Sequence, residues 1–159
     1  MTSPRSTSNW VDYVEHIAET LDIGPGTSVF DVGCGAGEFL YPLSQNGYRV
    51  GGIDASEALV REASQLMPAG RFVVGEPSAL DPGEPWDVVV SRTFADFRDL
   101  DYARGVIARM AAKASHAIAL LELTDKYDRG WMLRALNEVG VRAVQFEPSE
   151  HRYDVFARI

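Results

Sequence analysis

One short segment constrains the fold of this chain more than any other. The mainly apolar segment 29–32, Val-Phe-Asp-Val, runs into a loop in which glycine recurs at alternate positions, Gly33, Gly35 and Gly37. An apolar run of this length is typical of a strand, and the residues after the loop are typical of a helix. Glycine has no Cβ, so a ligand can approach the backbone of such a loop closely. The segment predicts a strand–loop–helix unit with a ligand beyond the carboxyl end of the strand.

The spacing of the glycines discriminates between classes of ligand. The dinucleotide fingerprint G-x-G-x-x-G requires its third glycine at position 38, which is Glu38. A carboxylate on the first turn after the loop is a poor neighbour for a pyrophosphate, because both are negatively charged. The loop therefore favours a nucleoside ligand without a phosphate to bind.

Composition indicates one globular domain and argues against several partners. The 159 residues are 46% hydrophobic and carry a formal net charge of −8, which argues against a nucleic-acid groove. The single cysteine, Cys34, excludes an intrachain disulfide framework and fits a cytoplasmic location. The apolar runs are too short for a membrane span. The three histidines are scattered, so we expect no metal site.

Periodicity divides the chain into a disordered lead, residues 1–8, and a single domain, residues 9–159. Helices are predicted over 9–21, from the glycine loop to 46, and over 56–67, 100–114 and 127–139. Strands are predicted to end at 32 and 54 and to span 71–75, 86–91, 116–123, 141–147 and 152–159. The link between the third and fourth strands leaves little room for a crossover helix. The last two strands are joined by a short turn and are therefore antiparallel.

Four segments of the chain follow one another in an order that carries a family resemblance. Residues 31–37 read Asp-x-Gly-x-Gly-x-Gly, residues 48–54 end in an acidic residue, and two further matches lie at 72–76 and 86–91. In this order they resemble the class I S-adenosylmethionine (SAM)-dependent methyltransferases. The resemblance implies a Rossmann-like α/β fold with a mostly parallel seven-stranded sheet of order 3-2-1-4-5-7-6. It also implies an antiparallel C-terminal hairpin.

The resemblance implies a set of residues for the methionine and ribose parts of SAM. Asp31 would act on the ammonium group through water; the alternative is that it only caps the loop. The loop residues Gly33, Cys34, Gly35 and Gly37 would hold the methionine end, with Cys34 packed rather than nucleophilic. Asp54, with Ala55 beside it, would accept hydrogen bonds from both ribose hydroxyls.

The adenine end departs from the family pattern at one position. Glu76 stands where the family often has an Asp that accepts from the adenine amino group. The next residue in the family typically donates a backbone N–H to adenine N1, but here it is Pro77, which has no N–H. Either Ser78 takes over as donor, or adenine sits differently.

The resemblance also implies a pocket for the molecule that accepts the methyl group. We expect its residues at the ends of the later strands and in the N-terminal segment. Ser91 and Arg92 should lie beside the methionine end, where Arg92 either pairs with a carboxylate or is a solvated loop charge. The other candidates should form or cover the acceptor pocket: Trp10, Tyr13, Phe94, Asp96, Phe97, Glu122, Thr124, Glu147 and His151. Asp96 and His151 are the catalytic candidates, although His151 would also suit a surface turn. A second subunit in a homodimer could also cover the pocket.

The expected activity is transfer of the SAM methyl group to an O, N or C atom of a small molecule, with release of S-adenosylhomocysteine (SAH). Two alternatives stay open. One is a SAM-fold enzyme of the cyclase or isomerase type that transfers no methyl group. The other is a non-catalytic SAM-binding or partner-binding subunit, which the short link after the fifth strand allows.

Overall fold

Helices and strands alternate along the chain. The computed structural model describes residues 7–81, 83–97, 99–149 and 151–159, without the side chains of residues 7–10 and 95. Its helices are α1 (Thr7–Leu21), α2 (Tyr41–Gln45), α3 (Glu57–Leu66), α4 (Leu100–Lys113) and α5 (Arg129–Glu138). Its strands are β1 (Ser28–Val32), β2 (Arg49–Asp54), β3 (Arg71–Val74), β4 (Trp86–Ser91), β5 (Ala114–Leu123), β6 (Ala143–Pro148) and β7 (Tyr153–Arg158). No helix in these ranges is long and apolar enough to cross a membrane.

The strands form one seven-stranded sheet in the order β3-β2-β1-β4-β5-β7-β6. Strands β1 to β5 are parallel, and β7 lies antiparallel between β5 and β6. The predicted fold class, strand order and C-terminal hairpin are confirmed. Because the carboxyl ends of parallel strands meet at one edge, the loops after β1 to β5 converge there. We call this edge the ligand edge.

Helices cover both faces of the sheet. Helices α1 and α2 pack on one face against buried side chains such as Val29, Val90 and Leu121. Helices α4 and α5 pack on the other face, where Phe30 and Ile118 are buried. Strand β5 contributes to both layers, as its continuous apolar run predicts. The central strands are therefore held rigidly, and the loops at their ends are well positioned.

Two boundaries at the start of the fold differ from the prediction. Helix α2 begins only at Tyr41, because Gly37 adopts a φ of +90° that no helix accommodates, and residues 38–40 form turns. Helix α1 begins at Thr7, two residues inside the expected lead, and residues 1–6 lie outside the described residues. The glycine loop is thus longer than expected, and α1 reaches further.

The link between β3 and β4 contains a short 3₁₀ turn, Pro77–Ala79, in place of a crossover helix. Side chains of α4 hold its backbone. Arg109 donates to the Leu80 carbonyl at 3.1 Å, and Lys113 donates to the carbonyls of Asp81 and Glu84 at 2.8 and 3.3 Å. Helix α4 therefore fixes the part of the chain that follows β3.

Candidate functional site

Asp31 is a buried carboxylate at the carboxyl end of β1. It has no exposed surface, and neither oxygen has a hydrogen-bond partner among the described residues. Burial raises the pKa of this carboxyl from 3.8 to about 7; Arg92 lowers it, and Asp54 and Glu38 raise it. A buried carboxylate without a partner is costly unless a positive charge compensates it. The position therefore suits a cationic group of a ligand.

The glycine loop wraps closely against its neighbours at two positions. Gly33 has a φ of +83°, and a Cβ on it would lie 2.4 Å from Cγ2 of Thr93. Gly37 has a φ of +90°, and a Cβ there would lie 2.4 Å from Cε of Met67. Both positions combine a left-handed backbone with a close contact, so they require glycine.

Cys34 lies within this loop and is 1% exposed. Burial, with further contributions from Asp31 and Asp54, raises the pKa of its thiol to about 12. Its Cβ also fills the space where a Cβ on Gly52 would lie, 2.5 Å away. Cys34 is thus a packed side chain, as the sequence predicts.

Asp54 ends β2 and is fixed by the backbone on both sides. Its Oδ2 accepts the Gly35 N–H, and its Oδ1 accepts the Ser56 N–H, both at 2.9 Å. The hydroxyl of Ser56 in turn accepts the Leu59 N–H at the start of α3. Each carboxylate oxygen can accept more than one hydrogen bond. Asp54 is therefore oriented in advance and can still accept from a ligand.

A cavity of about 640 Å³ lies beside Asp54 at the ligand edge; we call it the β1–β4 cavity. Its lining residues are Gly33, Asp54, Ala55, Glu76, Pro77, Ser78, Thr93, Asp96, Phe97, Asp99 and Tyr102. The cavity brings together the residues expected for ribose and adenine. It also contains Asp96 and Phe97, which the sequence places on the acceptor side. Thr93, Asp99 and Tyr102 were not predicted from the sequence.

The residues that follow β4 divide between the core and the site. Ser91 is buried, and its hydroxyl donates to the Val32 carbonyl at 2.9 Å. Phe94 is also fully buried and packs on Phe97, with ring centroids 4.8 Å apart. The expectation that Phe94 faces a pocket is therefore wrong, because the 3₁₀ turn Phe94–Asp96 directs its ring into the core. The Arg92 guanidinium lies over an aromatic ring, that of Phe39, at 5.1 Å.

Asp154 of β7 connects two elements on the acceptor side. Its Oδ2 accepts the Tyr13 hydroxyl of α1 at 3.0 Å, and its Oδ1 accepts the Glu122 N–H at 2.8 Å. Glu122 has a φ of +57°, which is uncommon for a residue other than glycine. The pairing of β5 with β7 changes register between Leu120 and Leu123. Asp154 was missed from the sequence, because its role depends on where β7 packs.

Glu147, expected in the acceptor pocket, contacts α1 instead. Its Oε2 lies 2.5 Å from Nε2 of His16, and its Oε1 accepts from Gln145 at 2.9 Å. His16 of α1 therefore has a partner that the sequence alone does not indicate. Glu147 and Asp154 are neighbours in the pairing of β6 with β7. Together they attach the N-terminal helix to the C-terminal hairpin.

His151 lines a second cavity, of about 450 Å³, between the loop after β5 and the turn after β6. Its other lining residues are Asp125, Tyr127, Asp128, Arg129, Pro148, Ser149, Arg152 and Tyr153. Burial raises the pKa of Tyr127 and of Tyr153 to about 12. The two catalytic candidates, His151 and Asp96, thus lie in different cavities. The side chain of Trp10 lies outside the described residues.

Comparison with known proteins gives a family match and curated relatives. A family model described as "Methyltransferase domain" matches residues 29–117. A dTDP-4-amino-2,3,4,6-tetradeoxy-D-glucose N,N-dimethyltransferase from Saccharopolyspora spinosa is 30% identical over 123 residues, which are 74% of this chain and 49% of that protein. A ubiquinone biosynthesis O-methyltransferase from Rhodopseudomonas palustris is 29% identical over 150 residues, 89% of this chain and 57% of that protein. The chain spans about half the length of these relatives.

Solved structures share the fold at low sequence identity. The sugar N-methyltransferase KedS8 from Streptoalloteichus superposes with a TM-score of 0.82 at 13% identity. The match covers 97% of this chain and 88% of the KedS8 chain. SAM-bound CalS10, an amino pentose methyltransferase from Micromonospora echinaspora, has a TM-score of 0.81 at 15% identity, with coverages of 94% and 91%. At these identities the similarity concerns the architecture.

Proposed function

Since this chain belongs to the methyltransferase domain family, we propose that it is a SAM-dependent methyltransferase acting on a small molecule. The observation that carries the proposal is Asp31, a fully buried carboxylate without a partner among the described residues. SAM has an ammonium group on its methionine part, and this group compensates such a charge. The glycine loop beside Asp31 allows that part of the ligand to approach the backbone.

The residues of this chain divide the binding of SAM among them. Asp31 holds the ammonium group, and Arg92 pairs with the carboxylate of the same methionine part. Asp54, already fixed by the Gly35 and Ser56 amides, accepts from the ribose hydroxyls. Glu76, in the same cavity, accepts from the adenine amino group. SAM itself supplies an activated methyl group, so the protein has mainly to position the two reactants.

The acceptor lies, in this proposal, between the end of β4 and the surface formed by α1, β5 and β7. Tyr13 and Arg92 both contact the ring of Phe39, and Asp154 accepts from the Tyr13 hydroxyl and the Glu122 N–H, so contacts link these residues. Acidic side chains attract an amine acceptor while it is protonated. The amine must then lose that proton before it can attack the methyl group. The curated relative and two structural neighbours are described as amino-sugar or sugar N-methyltransferases. Amino sugars are therefore the first acceptor class to test, followed by hydroquinones, because another curated relative, from Synechocystis, is a 2-methyl-6-phytyl-1,4-hydroquinone methyltransferase.

The two catalytic candidates receive separate roles. His151 is the candidate base for an acceptor that must lose a proton, and in that case the acceptor extends from the region above into the second cavity, which His151 lines. Asp96 lines the β1–β4 cavity with Asp54 and Glu76 and contributes to SAM binding.

His151→Ala should lower turnover and leave SAH affinity unchanged, whereas Asp96→Ala should weaken SAH binding severalfold. Titration calorimetry with SAH and an initial-rate assay distinguish the two. Equal effects of both variants on both measurements would contradict this division.

The proposal also includes the cellular location of the protein and its partners. A single buried cysteine fits a cytoplasmic protein, and a net charge of −8 fits one that does not bind nucleic acid. A second subunit, in a homodimer, would help to exclude water from the acceptor side. Sedimentation at equilibrium measures this directly, and a monomer at all concentrations would remove the subunit from the proposal.

The test of the function uses SAM with a deuterated methyl group and mass spectrometry of candidate acceptors. The expected result is SAH release together with a labelled amino sugar or hydroquinone. An acceptor changed without SAH release would favour the cyclase or isomerase type. SAH binding without turnover across all acceptor classes would favour a non-catalytic subunit. Calorimetry with SAH, with NAD as the comparison ligand, tests the binding itself. A protein that does not bind SAH would overturn the proposal.

A further inference from the structure

We propose that Tyr102 of α4 selects adenine in this protein, because its hydroxyl donates the hydrogen bond that the base requires at N1. The inference rests on the proposed function and deepens it, since it concerns the nucleoside end of the same ligand. It follows from counting the hydrogen-bond donors and acceptors of the β1–β4 cavity.

Among the described residues that line it, the cavity is rich in acceptors and poor in donors. Four carboxylates line it, from Asp54, Glu76, Asp96 and Asp99. An ionised carboxylate only accepts hydrogen bonds. It can therefore bind the adenine amino group or the ribose hydroxyls. Adenine N1 is itself an acceptor, so it must find a donor elsewhere on the cavity wall.

The backbone of the turn after β3 does not provide that donor. Pro77 has no N–H. The Ala79 N–H donates to the Glu76 carbonyl at 2.9 Å, and the Leu80 N–H donates to the Pro77 carbonyl at 3.2 Å. The Ser78 N–H donates to the Tyr102 hydroxyl at 3.3 Å. Every N–H of residues 78–80 is therefore already used inside the protein.

Tyr102 is arranged to supply the missing donor. Because its oxygen accepts from Ser78, its own O–H proton is left for another acceptor, and Tyr102 lines the cavity. Its ring packs edge-on against Phe97 at 5.1 Å. Arg109 and Lys113 of the same helix hold the rest of the link. The hydroxyl is thus fixed relative to the turn before any base binds.

The other hydroxyls of the cavity are less suitable. Thr93 Oγ1 lies 3.1 Å from Ser91 Oγ and 3.4 Å from the Val32 carbonyl, so it interacts with β1 and β4. Ser78 carries an exposed side chain on the same turn. Ser78 is therefore the competing donor, and a variant at that position separates the two.

The experiment compares SAH with S-inosylhomocysteine by titration calorimetry. Hypoxanthine carries an N–H at position 1, where adenine has an acceptor, so a Tyr102 donor favours SAH. Tyr102→Phe keeps the ring and removes only the hydroxyl. One neutral hydrogen bond corresponds to roughly fivefold in affinity. We expect the preference for SAH over S-inosylhomocysteine to fall by about that factor.

Two variants act as controls. The Tyr48 hydroxyl donates to the Ile23 carbonyl, away from the cavity, so Tyr48→Phe should keep the preference unchanged. Ser78→Ala should also keep it. A Tyr102→Phe protein with the wild-type preference, or an equal loss for both ligands, would overturn the inference, as would a loss confined to Ser78→Ala. A wild-type protein that binds neither ligand would instead overturn the proposed function.

Discussion

The two halves of the ligand edge are built in different ways. In the β1–β3 half, Asp54 is held by Gly35, 19 positions before it, and by Ser56, 2 positions after it. In the β4–β7 half, Tyr13 contacts Asp154, 141 positions away. The first half is assembled from neighbouring segments and its own backbone. The second half exists only once the two ends of the chain have packed together.

Asp31→Asn should have opposite effects on stability and on SAH affinity, and these are the largest effects that we expect. The folded-state pKa of about 7 exceeds the ordinary 3.8, so the stability contributed by protonated Asp31 is lost as pH rises through about 7. At pH 8 the variant should gain about 1–2 kcal/mol in unfolding free energy. It should also bind SAH at least about a hundredfold more weakly, since a buried charge pair is broken.

Urea unfolding and calorimetry measure these two effects. Asp87→Asn is a matched control, because Asp87 has a partner: it accepts the Ser28 N–H at 2.9 Å. That variant should lose stability at pH 8 and keep its SAH affinity. An Asp31→Asn protein that is less stable than wild type at pH 8 would contradict the prediction.

Asp54→Ala should weaken SAM binding by about a hundredfold, because it removes hydrogen bonds to a charged acceptor, each worth roughly 1.5–3 kcal/mol. The variant also frees the Gly35 and Ser56 amides, so part of the loss comes from a looser loop. Asp54→Asn keeps one acceptor oxygen and should lose less. Calorimetry with circular dichroism as a folding check is the measurement. An affinity within about threefold of wild type would show that the ribose is held elsewhere.

SAH affinity should depend on pH through Asp31. Below about pH 7 the carboxyl is protonated in the free protein, so ligand binding must first remove that proton. Affinity should fall by up to about tenfold for each pH unit below that value. In Asp31→Asn the SAH affinity should be weak and should not change with pH over the same range. A wild-type affinity that does not change between pH 7 and 5 would contradict the assignment of the ammonium group to Asp31.

Asp154→Ala should have the smallest effect on SAH and a clear effect on stability. It leaves the Glu122 N–H and the Tyr13 hydroxyl without this acceptor, which costs about 1–3 kcal/mol in unfolding free energy. SAH affinity should stay within about threefold. Asp154→Asn keeps one acceptor oxygen and should lose less stability. A large loss of SAH affinity in Asp154→Ala would show that the two halves are coupled.

The sequence predicts the first half well and the second half poorly, for a physical reason. Asp31 and Asp54 are recognisable because each ends a strand beside a motif that is contiguous in the chain. Asp154 and Tyr102 carry no such local signal, since their partners lie on elements that meet only in the folded protein. Phe94 was misplaced because a single 3₁₀ turn decides whether a side chain points inward or outward.

Chemical labelling is the practical consequence of the buried thiol. Cys34 is the only cysteine in the sequence, and the pKa of its thiol is raised to about 12. A maleimide or iodoacetamide reagent should therefore react with it only when the glycine loop opens. The alkylation rate of the unmodified protein then reports that opening without any engineered probe. A fluorophore attached to a cysteine introduced on the surface, for example at Leu133, should meet little background from the native thiol.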